Sequence, residues 1–251
     1  MTQLDRIAMT SPTAELSTTL DDLTLEQLKA ALMEQVQDRD QEPMSRKVKR
    51  VKQDLDPYFQ ALSRQNPYPA PEEQQPLVPG IWFSAWSTNP FQDIFPGRIS
   101  AQSYQIFSEQ GYYANIARYS PGSRVPVLKY LAERFLAYDF MIIQSFEIRD
   151  GQWLIENVAI KQALRWRQRP LDPQRAQAWF QKALDPLLKD PDPAPSAASP
   201  TPQDKRTAKQ FEQISKARPQ LEHLYIDRDF RLVKTQRDPK QRPSYTVAIR
   251  I

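Results

Sequence analysis

The apolar positions change their spacing twice along the chain. They recur first at Leu25, Leu28, Leu32 and Val36, and after a polar break at Met44, Val48, Val51, Leu55, Phe59 and Leu62. Both runs have the three-to-four spacing that puts side chains on one helical face. Thr24 with Gln27 makes a capping-box signature before the first run. Pro57 lies inside the second and predicts a kink or a division, because proline has no N–H to donate and crowds the preceding turn. Residues 66–79, NPYPAPEEQQPLVP, carry five prolines. They are expected to stop helix altogether and run as an extended linker.

From Gly80 the spacing changes toward two. Runs rich in aromatic and β-branched residues predict strands over 81–88, 102–108, 112–119, 139–149 and 152–163. Turns are expected at 109–111 and at Asp150-Gly151, the stronger signal. Residues 223–234 and 244–251 read as two closing strands, the first with a tight turn or bulge at Asp227–Asp229. Helical spacing returns over 126–136 and over 172–189, where Asp172 caps and Pro173 takes the first helical position. A Pro/Ala/Ser-rich stretch, 190–204, reads as a disordered loop, with another short helix over 205–216. The expected organisation is a flexible N-terminus (1–20), a helical segment (21–66), a Pro-rich linker (67–79) and a mainly antiparallel β domain (80–251). Six to eight strands joined by short turns make a sandwich or a closed barrel.

One strand sharpens the question of what such a sheet holds. In GIWFSAWST, Trp82, Ser84, Trp86 and Thr88 would share one face, opposite Ile81, Phe83, Ala85 and Ser87. A half-buried strand should show a polar side, and this one shows almost none. Phe140, Ile142 and Phe146 alternate with Met141 and Ile143 in a second such strand, and Trp153 and Ile155 alternate with Leu154, Val158 and Ile160 in a third. A barrel of about eight strands has room for side chains or one small ligand. An apolar lumen with helices packed outside makes strands apolar on both faces. A sandwich core, or a filled barrel covered by helices, gives the same pattern. Tyrosines at 104, 112, 113, 119 and 138 favour a cavity wall, where buried hydroxyls find partners.

Composition narrows the chemistry. The chain has 251 residues, a net charge of +4, no cysteine and one histidine, His223. Disulfides, thiolate sites and cysteine nucleophiles are excluded, and zinc sites or histidine-based catalysis are disfavoured. No Gly-rich phosphate loop and no nucleic-acid signature is present. No window is apolar enough to span a membrane, and residues 1–16 lack the pattern of a secretory signal or transit peptide.

Three motifs in order carry a resemblance. LSRQNPYPAP closes the helical segment, PGIWFSAWST with FQDI opens the sheet, and LYIDRDFRLVK precedes the last strand. Over about residues 20–251 the chain resembles the plastid lipid-associated protein (PAP)/fibrillin family, in its cyanobacterial form. The resemblance implies a lipocalin-like β-barrel with an N-terminal helical segment and accessory helices. It implies no catalysis and no cofactor beyond a bound carotenoid, quinone or other lipid. The implied setting is peripheral, on the cytoplasmic side of the thylakoid membrane or on plastoglobule-like bodies, in photoprotection or lipid storage. Gly80 and Trp82 would sit at the closed end. Asp227, Asp229 and Arg231 would form an acidic-basic group near the C-terminal strands, and Arg231 or Arg250 would pack over Trp82. The turn DPKQRPS lacks the expected glycine, and the 190–203 insertion is long.

The expected pocket wall is Trp82, Ser84, Trp86, Tyr104, Phe140, Ile142, Trp153 and Ile155. The alternative function is a structural or assembly factor for a photosynthetic membrane complex, with a filled barrel. Arg46, Lys47, Lys49, Arg50 and Lys52 would contact anionic thylakoid lipid or a membrane protein complex. The plainer reading is a solvated helix face with Asp38, Asp40, Glu42, Asp54 and Asp56 as partners. Arg165, Arg167 and Arg169 around Trp166 read as an anion site, a headgroup patch or a strand end. No nucleic-acid partner and no metal is expected. Asp227 and Asp229 also read as an acid–base pair or as turn formers.

Overall fold

The computed structural model describes residues 20–90, 97–120, 135–189, 220–236 and 240–251. The expected helices at 126–136 (but for its last two residues) and 205–216, the loop 190–204 and almost all of the segment 1–20 lie outside them.

Eight strands hydrogen-bond in sequence order into a closed antiparallel ring. They are β1 (Gly80–Ser87), β2 (Arg98–Phe107), β3 (Tyr112–Tyr119), β4 (Leu136–Arg149), β5 (Gln152–Trp166), β6 (Gln220–Ile226), β7 (Phe230–Gln236) and β8 (Ser244–Arg250). β8 returns to pair with β1. The expected strand 223–234 divides into two strands at its expected turn, Asp227–Asp229. Asp227 Oδ1 accepts from the amides of Asp229 (2.8 Å) and Phe230 (2.7 Å), giving the backbone a local alternative to the ladder. Asp150 and Gly151 both have positive φ (52° and 67°), as a two-residue hairpin needs.

Two helical covers pack outside the ring. The first comprises α1 (Leu25–Val36), α2 (Met44–Arg50), a π turn (Val51–Leu55) and α3 (Asp56–Arg64). Thr24 and Gln27 cap α1 reciprocally, as the capping box requires. The π turn falls just before Pro57, where the ladder has to open around the missing N–H. Leu28, Leu32, Val36, Leu55, Phe59 and Leu62 pack on Trp86, Tyr225, Phe230, Leu232 and Val247, the outer faces of β1 and β6–β8. The linker residues 66–79, between this first cover and β1, are less extended than their prolines suggest. They contain a short helix, α4 (Pro71–Gln74), and a 3₁₀ turn, Gln75–Leu77. Prolines at the first helical position need no N–H, so Pro71 starts a turn instead of preventing one. The second cover is α5 (Pro173–Lys189), capped by Asp172 through the Arg175 amide (2.8 Å). Its residues Ala176, Phe180, Leu184 and Leu187 bury against Tyr104, Ile106, Ala114, Ile116, Met141 and Ile143 on β2–β4.

β1 is therefore apolar on both sides because one face meets the lumen and the other meets helices. A bulge between Ser84 and Trp86 refines that answer. Trp82 and Ser84 lie opposite Arg250 and Ala248, and Trp86 lies opposite Val247. One extra residue reverses the alternation, so Trp82 faces the lumen and Trp86 faces the N-terminal helices.

Candidate functional site

The lumen has two halves. The closed end is packed by Trp82, Phe107, Tyr113, Phe146, Trp153, Ile155, Ile226 and Ala248, with Val78 from the linker. Tyr113 stacks on Phe107, with centroids 4.6 Å apart at 4°. Trp82 is fully buried, and its Nε1–H donates to the Val78 carbonyl at 2.8 Å. Two guanidiniums cover its ring, that of Arg231 at 4.9 Å and that of Arg250 at 4.2 Å. Arg250 closes the bottom by donating to the carbonyls of Pro79 (2.6 Å), Leu77 and Arg228. Gly80, at φ 123°, leaves the space that Arg250 occupies: a Cβ there would stand 2.5 Å from its guanidinium.

Gln74 plugs the same end. Its Nε2 donates to the Tyr68 carbonyl, so its Oε1 is the acceptor shared by Trp153 Nε1–H (3.0 Å) and His223 Nδ1 (3.1 Å). His223 therefore carries its proton on Nδ1, and its buried Nε2 has no partner. Burial, reinforced by Arg231, holds His223 well below its ordinary 6.5. The unfolded chain then takes up a proton near 6.5 that the native state refuses. Stability attributable to His223 is intact above that pH and falls as pH drops through it, by up to about 1.4 kcal/mol per pH unit. Urea midpoints measured between about pH 7.5 and 5 should show this slope in the parent and a shallower one in His223→Gln.

Toward the other end the lumen opens into a cavity of ≈ 270 Å³. Phe140, Ile142, Ala117, Tyr119, Val233 and Leu221 form its apolar wall. Ser103, Thr246, Ser244 and Thr235 add hydroxyls, and Asn89, Gln241 and Arg242 stand on its border. Its most unusual feature is a row of amides on adjacent strands. Gln105 Nε2 donates to Asn115 Oδ1 (2.9 Å), Asn115 Nδ2 to Gln144 Oε1 (2.8 Å) and Gln144 Nε2 to Asn157 Oδ1 (2.7 Å). Arg231 starts the row by donating to Gln105 Oε1 at 2.7 Å. It is completely buried, with Nε and one terminal nitrogen unpartnered, and burial pulls it down to about 9.

Of the expected pocket wall, Phe140 and Ile142 line this cavity. Trp82, Trp153 and Ile155 point inward but belong to the packed closed end, and Ser84 is buried opposite Ala248. Trp86 is a correction: it lies outside, under the helices, because of the β1 bulge. Tyr104 borders the cavity, yet its side chain packs outside with Phe83 and donates to the Leu171 carbonyl (3.0 Å) beneath α5. The polar residues Gln105, Asn115, Gln144 and Asn157 are not among the expected wall; Asn115, Gln144 and Asn157 share the inward parity of Tyr113, Phe140 and Ile155, whereas an inward Tyr104 would have put Gln105 outside.

The expected acidic-basic group does not assemble. Asp227 Oδ2 accepts from Lys29 Nζ (2.7 Å) and the Tyr225 hydroxyl (2.6 Å), tying the β6–β7 turn to α1. Burial works to raise its pKa, but these bonds and the Asp229 and Phe230 amides outweigh it and hold the carboxyl below the usual carboxylate range. Asp229 presents its carbonyl to the Arg250 amide (2.9 Å), and Arg231 is inside the ring.

The basic run does not form one stripe. Arg46, Lys49 and Lys52 are exposed, whereas Lys47 is completely buried, donating to Asp40 (3.1 Å) and the Ser87 carbonyl (2.9 Å). Arg50 donates to the Gln35 carbonyl (2.9 Å) and approaches Asp54. Arg165, Arg167 and Arg169 serve the strand end: Arg165 lies 3.5 Å from Asp139 and covers Trp179, Arg167 donates to Ser120 (2.5 Å), and the Arg169 carbonyl accepts from Arg118. No helix among the described residues is long and apolar enough to cross a membrane. No protein-family model matches the sequence, and no curated protein matches it.

Proposed function

We propose that this protein is a non-catalytic carrier of a small hydrophobic molecule, a lipocalin-like barrel akin to the PAP/fibrillin proteins and peripheral to a photosynthetic membrane. The supporting observation is the cavity of ≈ 270 Å³ walled by Phe140, Ile142, Tyr119 and Val233 inside a closed ring of strands. A cavity of roughly 150 Å³ suffices for benzene. This one suits a quinone head with the first part of its tail, or one end ring of a carotenoid, with the remainder leaving through the opening. Among the described residues, no Asp, Glu, His or Lys lines it, and His223 is engaged by Gln74 at the closed end, which favours holding a ligand over transforming one.

Delipidated protein incubated with photosynthetic membrane lipids and repurified should retain close to one equivalent of an apolar molecule, measured by organic extraction and mass spectrometry. Ala117→Trp, which fills the cavity from its wall, should lower retention at least about tenfold, or 1.4 kcal/mol, while leaving the ring folded. A parent protein that retains nothing would end this reading. The packed aromatic closed end favours a second reading, an assembly factor whose exposed Arg46, Lys49 and Lys52 meet a membrane complex. A stoichiometric protein partner recovered with an unloaded cavity would select it.

A further inference from the structure

We propose that the cavity selects an apolar molecule whose buried end carries an oxygen acceptor, a ring carbonyl or a carboxylate, and rejects one that carries an ammonium there. This rests on the cavity being a ligand site and names the chemistry it prefers.

Arg231 sets the direction of the amide row. A guanidinium donates and never accepts, so its contact at 2.7 Å fixes Gln105 with Oε1 toward β7 and its NH₂ toward β3. Gln105 then dictates the orientation of Asn115, Asn115 that of Gln144, and Gln144 donates to Asn157. The row is directional, with its cationic end at the floor of the lumen. An amide NH₂ holds two donors. Gln105 and Gln144 each commit one to the row, and both side chains line the cavity. The charged side chains at the row and on the cavity border are cationic. Arg231 is wholly buried with two nitrogens unpartnered, Arg242 borders the cavity, and among the described residues no carboxylate lines it. A ligand oxygen accepts from these N–H groups in a positive field, whereas an ammonium meets the field unfavourably at low dielectric. Each amide oxygen of the row already accepts one bond, so an ammonium would have to share acceptors that are in use.

Full-length protein should be titrated calorimetrically at neutral pH with three probes of one chain length: decanoate, the corresponding methyl ketone and decylammonium. Decanoate and the ketone should bind at least about tenfold more tightly than decylammonium, the scale of a charge-assisted hydrogen bond. Decanoate exceeding the ketone assigns a carboxylate ligand, and equality assigns a carbonyl one. Gln144→Leu should reduce the advantage of the oxygen heads to under about threefold. The isosteric Gln144→Glu, which keeps the side-chain shape, should shift preference toward decylammonium. Decylammonium binding as well as the other probes, in the parent, overturns the proposal and leaves the carrier reading standing. If no probe binds and membrane lipids are not retained either, both fall. If lipids are retained but no headed probe binds, this proposal alone is overturned.

Discussion

Trp82→Ala should lower the unfolding free energy by about 4 kcal/mol, as complete removal of a buried aromatic does. That is a large share of the 5–15 kcal/mol typical of a whole domain. Three losses combine. The indole fills the centre of the closed end, so its removal leaves a hole among Phe107, Trp153 and Ala248. The Val78 carbonyl loses its donor at 2.8 Å. Arg231 and Arg250 lose the ring that both cover, and for the fully buried Arg231 that ring replaces water. Urea unfolding followed by circular dichroism measures the effect. Trp82→Phe, which keeps a ring but not the N–H, should lose less than half as much. A parent-like midpoint for Trp82→Ala would mean that the closed end is not packed around this residue.

Asp40→Ala should cost about 3 kcal/mol, the scale for removing one member of a buried ion pair. Asp40 holds three groups together. Its Oδ1 accepts from Lys47 Nζ (3.1 Å) and the Ser87 amide (3.0 Å), and its Oδ2 accepts from Arg98 (2.5 Å). Lys47 is on α2, Ser87 ends β1 and Arg98 begins β2, so one carboxylate joins the helical cover to the ring. Without it, the buried Lys47 loses the carboxylate at 3.1 Å. The double variant Asp40→Ala/Lys47→Met removes the Lys47 charge as well and should recover part of the loss, the share that belongs to the Lys47 pair. If the single variant unfolds at the parent midpoint, the latch contributes nothing to docking of the helices.

Trp82 and Lys47 differ in how much of their place is legible in the sequence. Trp82 was legible as an inward tryptophan covered by an arginine, and both candidate arginines in fact cover it. Lys47 looked like one of five exposed cations, because a helix face is inferred from apolar spacing and a buried lysine breaks that inference. Its burial depends on Asp40, seven residues away, and on the Ser87 carbonyl of another element. Trp86 failed for a related reason. Strict alternation places it with Trp82, and a bulge is a property of a strand and its partner together, here Ser84 and Trp86 against Ala248 and Val247. The linker misled because proline content argues against helix only beyond the first turn.

Local chemistry accounts for the elements: helical spacing at Leu28, Leu32 and Val36, the Thr24–Gln27 box, the π turn before Pro57, the Asp150-Gly151 hairpin and the Asp172 cap. Each depends on residues a few positions apart, so the order of letters suffices. Sidedness, closure of the ring and the cavity depend on residues far apart in the chain. Arg231 meets Gln105, and Gln105 meets Asn115, only because β7, β2 and β3 face one lumen in a particular register. A shift of one residue in any of them would turn that polar row outward, and nothing in the separate strands forbids such a shift until the ring is closed.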